Sequence, residues 1–140
     1  MSAGRIINGM SRYAKNSGAV FALKYHLVWC PKYRRSVLVD GVAKRLDQLI
    51  REVANEFEMT VHAMEIMPDH VHLFVESDPR WCVAEIVNRF KGRSSRILRS
   101  EFPVLRSRLP TLWSRSYYAG TVGHVSEESV RRYIENQTGK

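Results

Sequence analysis

The strict alternation of apolar and polar side chains after residue 19 constrains the fold more than any other feature of this sequence. From Val20 to Trp29 the chain reads VFALKYHLVW, with Lys24 and His26 on the polar side. The apolar side consists of Phe21, Leu23, Tyr25, Leu27 and Trp29. A period of two is the period of a β-strand, and a single apolar side means that one face of the sheet is buried. The sequence therefore predicts a sheet with one covered face and one open face that carries polar groups.

The elements that follow are predicted from apolar periodicity and from residues that cap helices. A 3.6-residue spacing predicts a helix over 40–58 with Asp40 as its cap, and Asp78 followed by Pro79 predicts the start of another helix. Strands are predicted over 60–67, 70–76 and 117–122, and a last helix over 126–139. The order of these elements predicts an α+β fold of the ferredoxin-like (RRM-like) type, an antiparallel sheet with two helices on one face, followed by a C-terminal helix.

The length of 140 residues allows one compact domain. Residues 1–18 are basic and rich in Ser, Gly and Asn, which predicts a flexible arm, and residues 19–140 are expected to form the single domain. No apolar run approaches the length that crosses a bilayer, and the arm has no apolar core of a secretory signal. The cysteines, Cys30 and Cys82, make no disulfide framework, so a reducing cytoplasmic setting is expected.

The positive charge is concentrated in two stretches of the chain. The net charge is +8; residues 1–39 carry seven Lys and Arg and no acid, and residues 86–126 carry eight basic residues and one acid, Glu101. Two strongly basic stretches in one small domain favour a polyanionic partner, with nucleic acid first and an anionic membrane surface second. A soluble basic protein with solvated charge is the alternative.

His70 and His72 are the most specific chemical feature of the sequence. Side chains two apart on a strand point to the same side, with Cα atoms about 6.6–6.8 Å apart. Two imidazoles at that spacing can converge on one cation. Two ordinary polar residues on a half-exposed strand are the alternative. A closed metal site needs more ligands than two histidines, so a third ligand must come from elsewhere.

Tyr133 and Gln137 share one side of the predicted last helix, because they are separated by four residues. With His70 and His72, the amide oxygen of Gln137 would form a ligand set that suits Mg²⁺ or Mn²⁺ better than structural Zn²⁺. Tyr133 would then lie one turn from the cation, placed to attack a bound phosphate. The alternatives are a half-buried aromatic at position 133 and a solvent-facing amide at position 137.

Basic residues in three places are candidates for contact with a phosphate backbone. The helix after Asp78 carries its cations on one side, as Arg89, Lys91, Arg93, Arg96 and Arg99. Lys24 and His26 can hold a phosphate on the open sheet face, and Arg34 belongs to a basic loop over 31–35. For the helix, the alternative is a solvated charged face.

Two motifs together resemble a known family. Residues 67–74 read MPDHVHLF, which resembles the HUH motif, and residues 133–137 read YIENQ, which resembles the Y-x-x-x-Q helix of the small single-tyrosine HUH transposases of the TnpA type. The likeness extends over KYHLVWCPKYR, KGRSSRILR and LWSRSYYAGTVG, but not over the arm. The HUH motif alone also occurs in relaxases and replication initiators, so the combination is the more specific signal.

The resemblance implies a DNA transposase that cleaves and rejoins single-stranded DNA at insertion-sequence ends. Tyr133, on a C-terminal catalytic helix, would form a 5′-phosphotyrosine link and release a 3′-hydroxyl, with His70, His72 and Gln137 holding a divalent cation. The resemblance also implies a homodimer with active sites completed in trans, no nucleotide cofactor, and action at the nucleoid of a prokaryotic cell. DNA hairpins near the element ends would be recognised through Lys91, Arg93 and Arg96.

Three other functions are open on the same sequence. A host-domesticated relative would cut hairpin repeats without moving its own gene. A ferredoxin-like module would bind single-stranded DNA or RNA without catalysis, although such modules usually carry aromatic residues where this sheet carries histidines. A relaxase-like nicking domain would act as a monomer.

Overall fold

The computed structural model of the chain describes residues 14–16, 19–21, 23–122 and 127–136. A short 3-10 turn at Lys32–Arg34 follows the third strand. The elements in chain order are β1 (Ala14–Asn16), β2 (Ala19–Phe21), β3 (Leu23–Trp29), α1 (Asp40–Glu56), β4 (Thr60–Met67), β5 (His70–Ser77), α2 (Val83–Glu101), α3 (Pro103–Arg108), β6 (Tyr118–Thr121) and α4 (Glu127–Asn136). Within these ranges, no helix is long and apolar enough to cross a membrane.

Four strands form the main sheet in the order β4-β5-β3-β6, and every neighbouring pair is antiparallel. The helix α1 connects β3 to β4, and α2 lies between β5 and the edge strand β6. This arrangement confirms the predicted α+β, ferredoxin-like fold. The strand predicted over 20–29 is divided, because β2 pairs with β1 in a separate hairpin and β3 alone enters the main sheet. The predicted arm, 1–18, lies outside the described residues except for the backbone of β1.

The apolar face of the main sheet is covered by α1 and α2, as the alternation predicts. Its buried side chains from the two central strands are Tyr25, Leu27, Trp29, Val71, Leu73 and Val75. These side chains form one continuous cluster with the apolar sides of the two helices. Truncating a fully buried leucine such as Leu27 to alanine would cost about 2–5 kcal/mol. This cluster therefore fixes which face of the sheet is left for polar side chains.

Asp40 does not cap α1, contrary to the prediction. The residue at the cap position is Val39, which has extended backbone, and its carbonyl accepts hydrogen bonds from the backbone N–H groups of Val42 and Ala43. Asp40 lies inside the first turn with a φ of 51°. Asp tolerates this left-handed conformation better than most residues, and its charge remains at the positive end of the helix dipole.

Asp78 does not cap α2 either. The helix begins four residues later than Pro79 suggests, at Val83, and the backbone N–H of Cys82 donates to Glu85 Oε1 at 3.0 Å. The buried carboxylate of Asp78 instead accepts hydrogen bonds from the backbone N–H and the guanidinium of Arg80, both at 2.8 Å. Asp78 therefore stabilises the turn between β5 and α2.

The second face of the sheet is partly covered, whereas the sequence predicts an open face. The helix α4 lies against β4 and β5 on this side. Its Ile134 is fully buried against Ala63 of β4 and Phe74 of β5. The histidine cluster therefore lies beside a docked helix. Ser126 and Gly139, the predicted ends of the last helix, lie outside the described residues.

Candidate active site

Two histidines at the start of β5 point to the side of the sheet opposite the apolar core. The ring centroids of His70 and His72 are 4.7 Å apart. The pairing of β5 with β3 brings His26 alongside, with its Nε2 3.3 Å from Nδ1 of His72 and ring centroids 5.5 Å apart. Two predicted metal ligands and one predicted phosphate contact are thus gathered in one cluster.

Asp69, in the turn between β4 and β5, orients His70. Nδ1–H of His70 donates to Asp69 Oδ1 at 2.7 Å, and Arg34 Nη2 donates to Asp69 Oδ2 at 3.1 Å. The hydrogen bond from His70 and, to a smaller degree, the charge of Arg34 hold the pKa of Asp69 below its usual range. With Nδ1 engaged, the Nε2 lone pair of His70 is the atom left to bind a metal.

Burial keeps His72 in its neutral form. Burial and, to a smaller degree, the neighbouring His70 and His26 lower the pKa of His72 to about 4. Burial also lowers the pKa of His26. Two neutral rings in contact need one donor and one acceptor, and a His72 that donates through Nδ1–H keeps its Nε2 lone pair available. A neutral imidazole with an available nitrogen is the form that binds a metal.

Tyr133 lies at the edge of the histidine cluster. Its ring centroid is 6.2 Å from that of His72 and 6.5 Å from that of His26, and the residue is 55% exposed. The predicted nucleophile and the predicted metal-binding histidines are therefore neighbours within one chain. The third predicted ligand, Gln137, lies outside the described residues, directly after α4. Among the described residues, no group of three or more His, Cys, Asp and Glu side chains could hold a metal ion.

A polar network that the sequence does not reveal helps to hold α4 on the sheet. His62 Nε2 is 2.7 Å from Glu76 Oε1, and His62 Nδ1 is 3.2 Å from Nη2 of Arg131. Because a guanidinium only donates, Nδ1 of His62 accepts and its Nε2–H donates to Glu76. The network joins β5, β4 and α4. The pairing of β4 with β5 shifts register between Val61 and Ala63, next to His62, and no local sequence pattern marks this shift.

The basic side chains of α2 are not brought to the histidine cluster, because α2 packs on the apolar face of the sheet. Lys91 Nζ donates to the carbonyl of Ser114 at 2.7 Å, and burial lowers the pKa of this lysine. Arg93 Nη2 donates to Glu56 Oε1 at 2.7 Å. Arg96 is exposed. At least two of the predicted hairpin contacts therefore also stabilise the fold.

A cleft of about 430 Å³ opens beside the histidines. Its walls include Arg34, His70, His72, Tyr117 and Tyr118. Of the predicted DNA contacts, Arg34 lines this cleft and His26 lies next to it, in contact with His72. Lys24 lies two residues before His26 on the same side of β3. The arrangement combines the guanidinium of Arg34, two imidazoles and the exposed phenols of Tyr117 and Tyr118 around a space that a phosphate group can enter.

Comparison with known proteins finds relatives over nearly the whole chain. Residues 19–137 match the family model described as "Transposase IS200 like". The ISDra2 transposase TnpA of Deinococcus radiodurans is 39% identical over 128 residues, which cover 90% of this chain and 91% of that protein. The transposase for insertion sequence element IS200 of Salmonella typhimurium is 29% identical over 116 residues, which cover 81% of this chain and 76% of that protein.

Two solved structures have the same fold. A crystal structure of a protein described as a transposase, from Deinococcus radiodurans, has a TM-score of 0.71 and 39% identity and covers 89% of this chain and 97% of that one. A REP-associated tyrosine transposase bound to a REP hairpin has a TM-score of 0.65 and 14% identity, with 91% and 69% of the two chains covered, so it shares the fold alone. The family model over residues 19–137 and the Deinococcus relative at 39% identity show that this chain belongs to the IS200-like transposase family and is a DNA transposase.

Proposed function

We propose that this transposase cleaves and rejoins single-stranded DNA at the ends of an insertion sequence through a covalent link to Tyr133. The observation that carries the proposal is the position of the exposed Tyr133 phenol beside His72, in the same cluster as His70. A phosphate that enters the adjacent cleft would meet His70 and His72, with the Tyr133 ring next to that of His72.

The proposed step exchanges one phosphate ester for another. Tyr133 Oη bonds to a DNA phosphorus, the bond from that phosphorus to the 3′ oxygen breaks, and the oxygen takes a proton from water to become a 3′-hydroxyl. The phenol proton passes to water, which reaches Tyr133 because the residue is exposed. The 5′-phosphotyrosine link conserves the energy of the broken ester. A 3′-hydroxyl can therefore reverse the step and join strands without a nucleotide cofactor.

The residues of the cluster fit a divalent cation, which we propose to be Mg²⁺ or Mn²⁺. His70 and His72 would hold it, together with the amide oxygen of Gln137. Both histidines can offer a lone pair, since Asp69 engages Nδ1 of His70 and burial keeps His72 neutral. Two imidazoles and one amide leave positions for substrate oxygens, as a catalytic site requires. The chemistry supplied by such a cation is neutralisation of phosphate charge and alignment of the phosphate with the nucleophile.

The cleaved strand is proposed to follow the cleft past Arg34 and His26, with Lys24 further along β3. Arg34 lines the cleft, and its side chain is 63% exposed although it donates to Asp69. A guanidinium that keeps exposed N–H donors can bind a phosphate without releasing its carboxylate partner. These contacts would hold the strand by its backbone and would not select a sequence.

DNA hairpins are proposed to contact α2 through Lys91, Arg93 and Arg96. We expect Arg96 to contribute most, because Lys91 and Arg93 already donate to protein groups. A protein of the same fold has been solved with a REP hairpin, which supports a hairpin partner for this chain. Action on such DNA would place the protein at the nucleoid, in the cytoplasm of a prokaryotic cell.

A homodimer with active sites completed in trans is also part of the proposal. In the single chain, the described side chains that hold α4 on its own sheet include the fully buried Ile134 and Arg131, which contacts His62. A second copy of the chain presents an identical sheet face, so α4 can make the same contacts on its partner. Exchange of the helix would carry Tyr133 to the histidines of the other subunit.

The proposal is tested with labelled single strands copied from both flanks of the gene, mixed with the protein and Mg²⁺ or Mn²⁺. We expect a metal-dependent protein–DNA adduct on a denaturing gel, lost in Tyr133→Phe. Mass spectrometry of the digested adduct should place the DNA on the peptide that contains Tyr133. Tyr33→Phe is the matched control, because Tyr33 is an exposed tyrosine that does not line the cleft.

Two results would overturn the assignment. An adduct that persists in Tyr133→Phe would move the nucleophile to another tyrosine, first of all Tyr118, whose ring centroid is 5.9 Å from that of His26. Tight hairpin binding on a native gel without any adduct, together with unchanged Mn²⁺ affinity in His70→Ala, would indicate a module that binds DNA without cleaving it.

A further inference from the structure

The ring of Tyr118 lies directly over Gly120 on the edge strand β6. A Cβ atom built on Gly120 would lie 2.5 Å from Tyr118 Oη and 3.1 Å from Cζ. No other residue type leaves this space, because every other side chain begins with that atom. Glycine at position 120 thus allows the ring of Tyr118 to lie along the strand.

The sheet register places this ring on the histidine side. Tyr118 pairs with Val28 and Gly120 pairs with His26, so the ring extends from the first pair towards the second. The ring centroids of Tyr118 and His26 are 5.9 Å apart in an edge-on arrangement. Tyr118 also lines the cleft that contains His70 and Arg34. The aromatic surface is therefore continuous with the space in which the phosphate is expected.

Tyr118 is 58% exposed, so most of its ring surface contacts solvent. An aromatic side chain usually contributes by burying its surface, and this ring instead lies against the sheet with much of that surface uncovered. The ring of an unpaired base is the part of single-stranded DNA that matches such a surface, since every base has a face that stacks on an aromatic side chain. The nearby Arg34 offers a cation to the phosphate that would accompany the base.

We propose that Tyr118, seated over Gly120, is a stacking platform for one unpaired nucleobase close to the phosphate that Tyr133 attacks. This inference rests on the proposed function, because it assigns a role within the same substrate cleft. The platform is a positioning and binding site: it holds a nucleotide beside the cluster and takes no part in bond making. Stacking is tolerant of base identity, so the platform would fix the path of the strand and leave its sequence unread.

The test is an abasic scan of the single-stranded oligonucleotide used for the adduct assay. Each position in turn lacks its base, and the dissociation constant is measured in chelator, so that no cleavage intervenes. For the wild type we expect one abasic position to weaken binding by about ten-fold. Tyr118→Leu should weaken binding of the intact strand by a similar factor and should show no further loss at that same position.

Two variants separate stacking from other effects. Tyr118→Phe keeps the ring and is expected to keep the response to the abasic position. Gly120→Ala keeps Tyr118 but displaces its ring, and is expected to resemble Tyr118→Leu; the clash involves the mobile end of a side chain, so the strand itself can accept alanine. Tyr33→Leu removes another exposed tyrosine ring, one that does not line the cleft, and should leave the whole scan unchanged.

The platform would be overturned if the losses of binding affinity from Tyr118→Leu and from the abasic residue add at every position. It would also be overturned if Tyr118→Leu binds the strand like the wild type. Both results are distinguishable from failure of the proposed function. If the wild type forms the Tyr133 adduct but the effects of Tyr118→Leu and of the abasic position are independent, the platform alone is contradicted. If Tyr118→Leu removes the effect of one abasic position but the wild type forms no adduct, the cleavage chemistry alone is contradicted. Absence of any binding to the strand contradicts both.

Discussion

The chemistry of the histidine cluster depends on which ring nitrogen of each residue carries a proton. Asp69 fixes the proton of His70 on Nδ1 by accepting a hydrogen bond from it, and Arg34 holds Asp69 in place with a second hydrogen bond. His26 contacts Nδ1 of His72 in the corresponding way. The groups behind the two histidines therefore decide whether the two Nε2 lone pairs are available, and in the proposed metal site they would matter as much as the ligands themselves.

Replacing Asp69 with alanine should weaken divalent metal binding by about 10–100-fold. The reason is that His70 loses the acceptor that fixes its tautomer and ring orientation. Calorimetric titration with Mn²⁺ measures the effect. Asp47→Ala is the matched control, since Asp47 pairs with Arg51 on the exposed side of α1. Equal Mn²⁺ affinities for Asp69→Ala and the wild type would show that Asp69 does not orient His70.

The low pKa of His72 predicts how stability depends on pH. The folded-state pKa of about 4 lies below the ordinary value of 6.5, so between these values the unfolded chain binds a proton that the folded chain excludes. Stability contributed by neutral His72 is therefore complete above about pH 6.5 and is lost progressively as the pH falls towards 4, by up to about 3 kcal/mol.

Urea unfolding in chelator at about pH 7 and about pH 5 measures this loss. The wild type should lose more stability over the interval than His72→Asn, which has no imidazole at this position. The variant should keep a smaller dependence, because burial also lowers the pKa of His26. Identical losses of unfolding free energy for the two proteins would contradict the lowered pKa of His72.

Among the elements, α4 carries Tyr133, the proposed nucleophile, and most of its described side chains are exposed. Ile134 is its fully buried apolar contact among the described residues, and the network of Arg131, His62 and Glu76 is its polar one. Elements held by few buried contacts open at lower free energy than the global fold. We therefore expect α4, with the proposed nucleophile, to open at a lower free energy than the core.

Replacing His62 with phenylalanine should loosen α4 selectively. Arg131 loses this acceptor, and the buried carboxylate of Glu76 loses a donor, which costs about 1–3 kcal/mol for a buried polar group that loses its partner. Hydrogen exchange of the peptide covering 127–136 should accelerate by about ten-fold or more, with exchange in α1 unchanged.

His62→Gln tests whether this effect comes from the polar network. Its amide can accept from Arg131 through oxygen and donate to Glu76 through nitrogen, so it should keep slow exchange in α4 and a normal yield of the Tyr133 adduct. If glutamine and phenylalanine at position 62 accelerate exchange equally, the network does not hold the helix.

At the scale of the whole molecule, the question is which subunit supplies the tyrosine. Co-purified heterodimers answer it. A dimer of one His72→Ala subunit and one Tyr133→Phe subunit should form the adduct at about half the wild-type yield, because exchange of α4 pairs the intact tyrosine with the intact histidines.

The reciprocal heterodimer serves as the control. It combines a wild-type subunit with one that carries both substitutions, and exchange of α4 leaves it without any complete site. Adduct formation by this heterodimer, and none by the first, would show that Tyr133 acts on the histidines of its own chain, as they lie in the single subunit. A monomer in light scattering under the reaction conditions would contradict the dimer itself.

Much of the fold and half of the site follow from short-range patterns. The strand at 60–67 has the bounds expected from its alternation, and the turn at Pro68 and Asp69 makes β5 its hairpin partner. The start of α2 does not follow, because Asp78 has a side-chain partner in Arg80 that a capping rule does not include. The prediction of an open sheet face is wrong for another reason. The periodicity of α4 shows that the helix has an apolar side, but it does not show which surface that side will cover.

The sequence by itself determined most of the strands and helices and the presence of His70 and His72 on one side of a strand, since these depend on neighbours only a few residues apart. The tertiary structure alone decided the contact of His26 with His72, 46 positions apart in the chain, and that of Arg131 with His62, 69 positions apart. The first contact requires the register of β3 against β5, and the second requires α4 to dock on the sheet. Register and docking are fixed by packing of the whole core, which no local window of sequence contains.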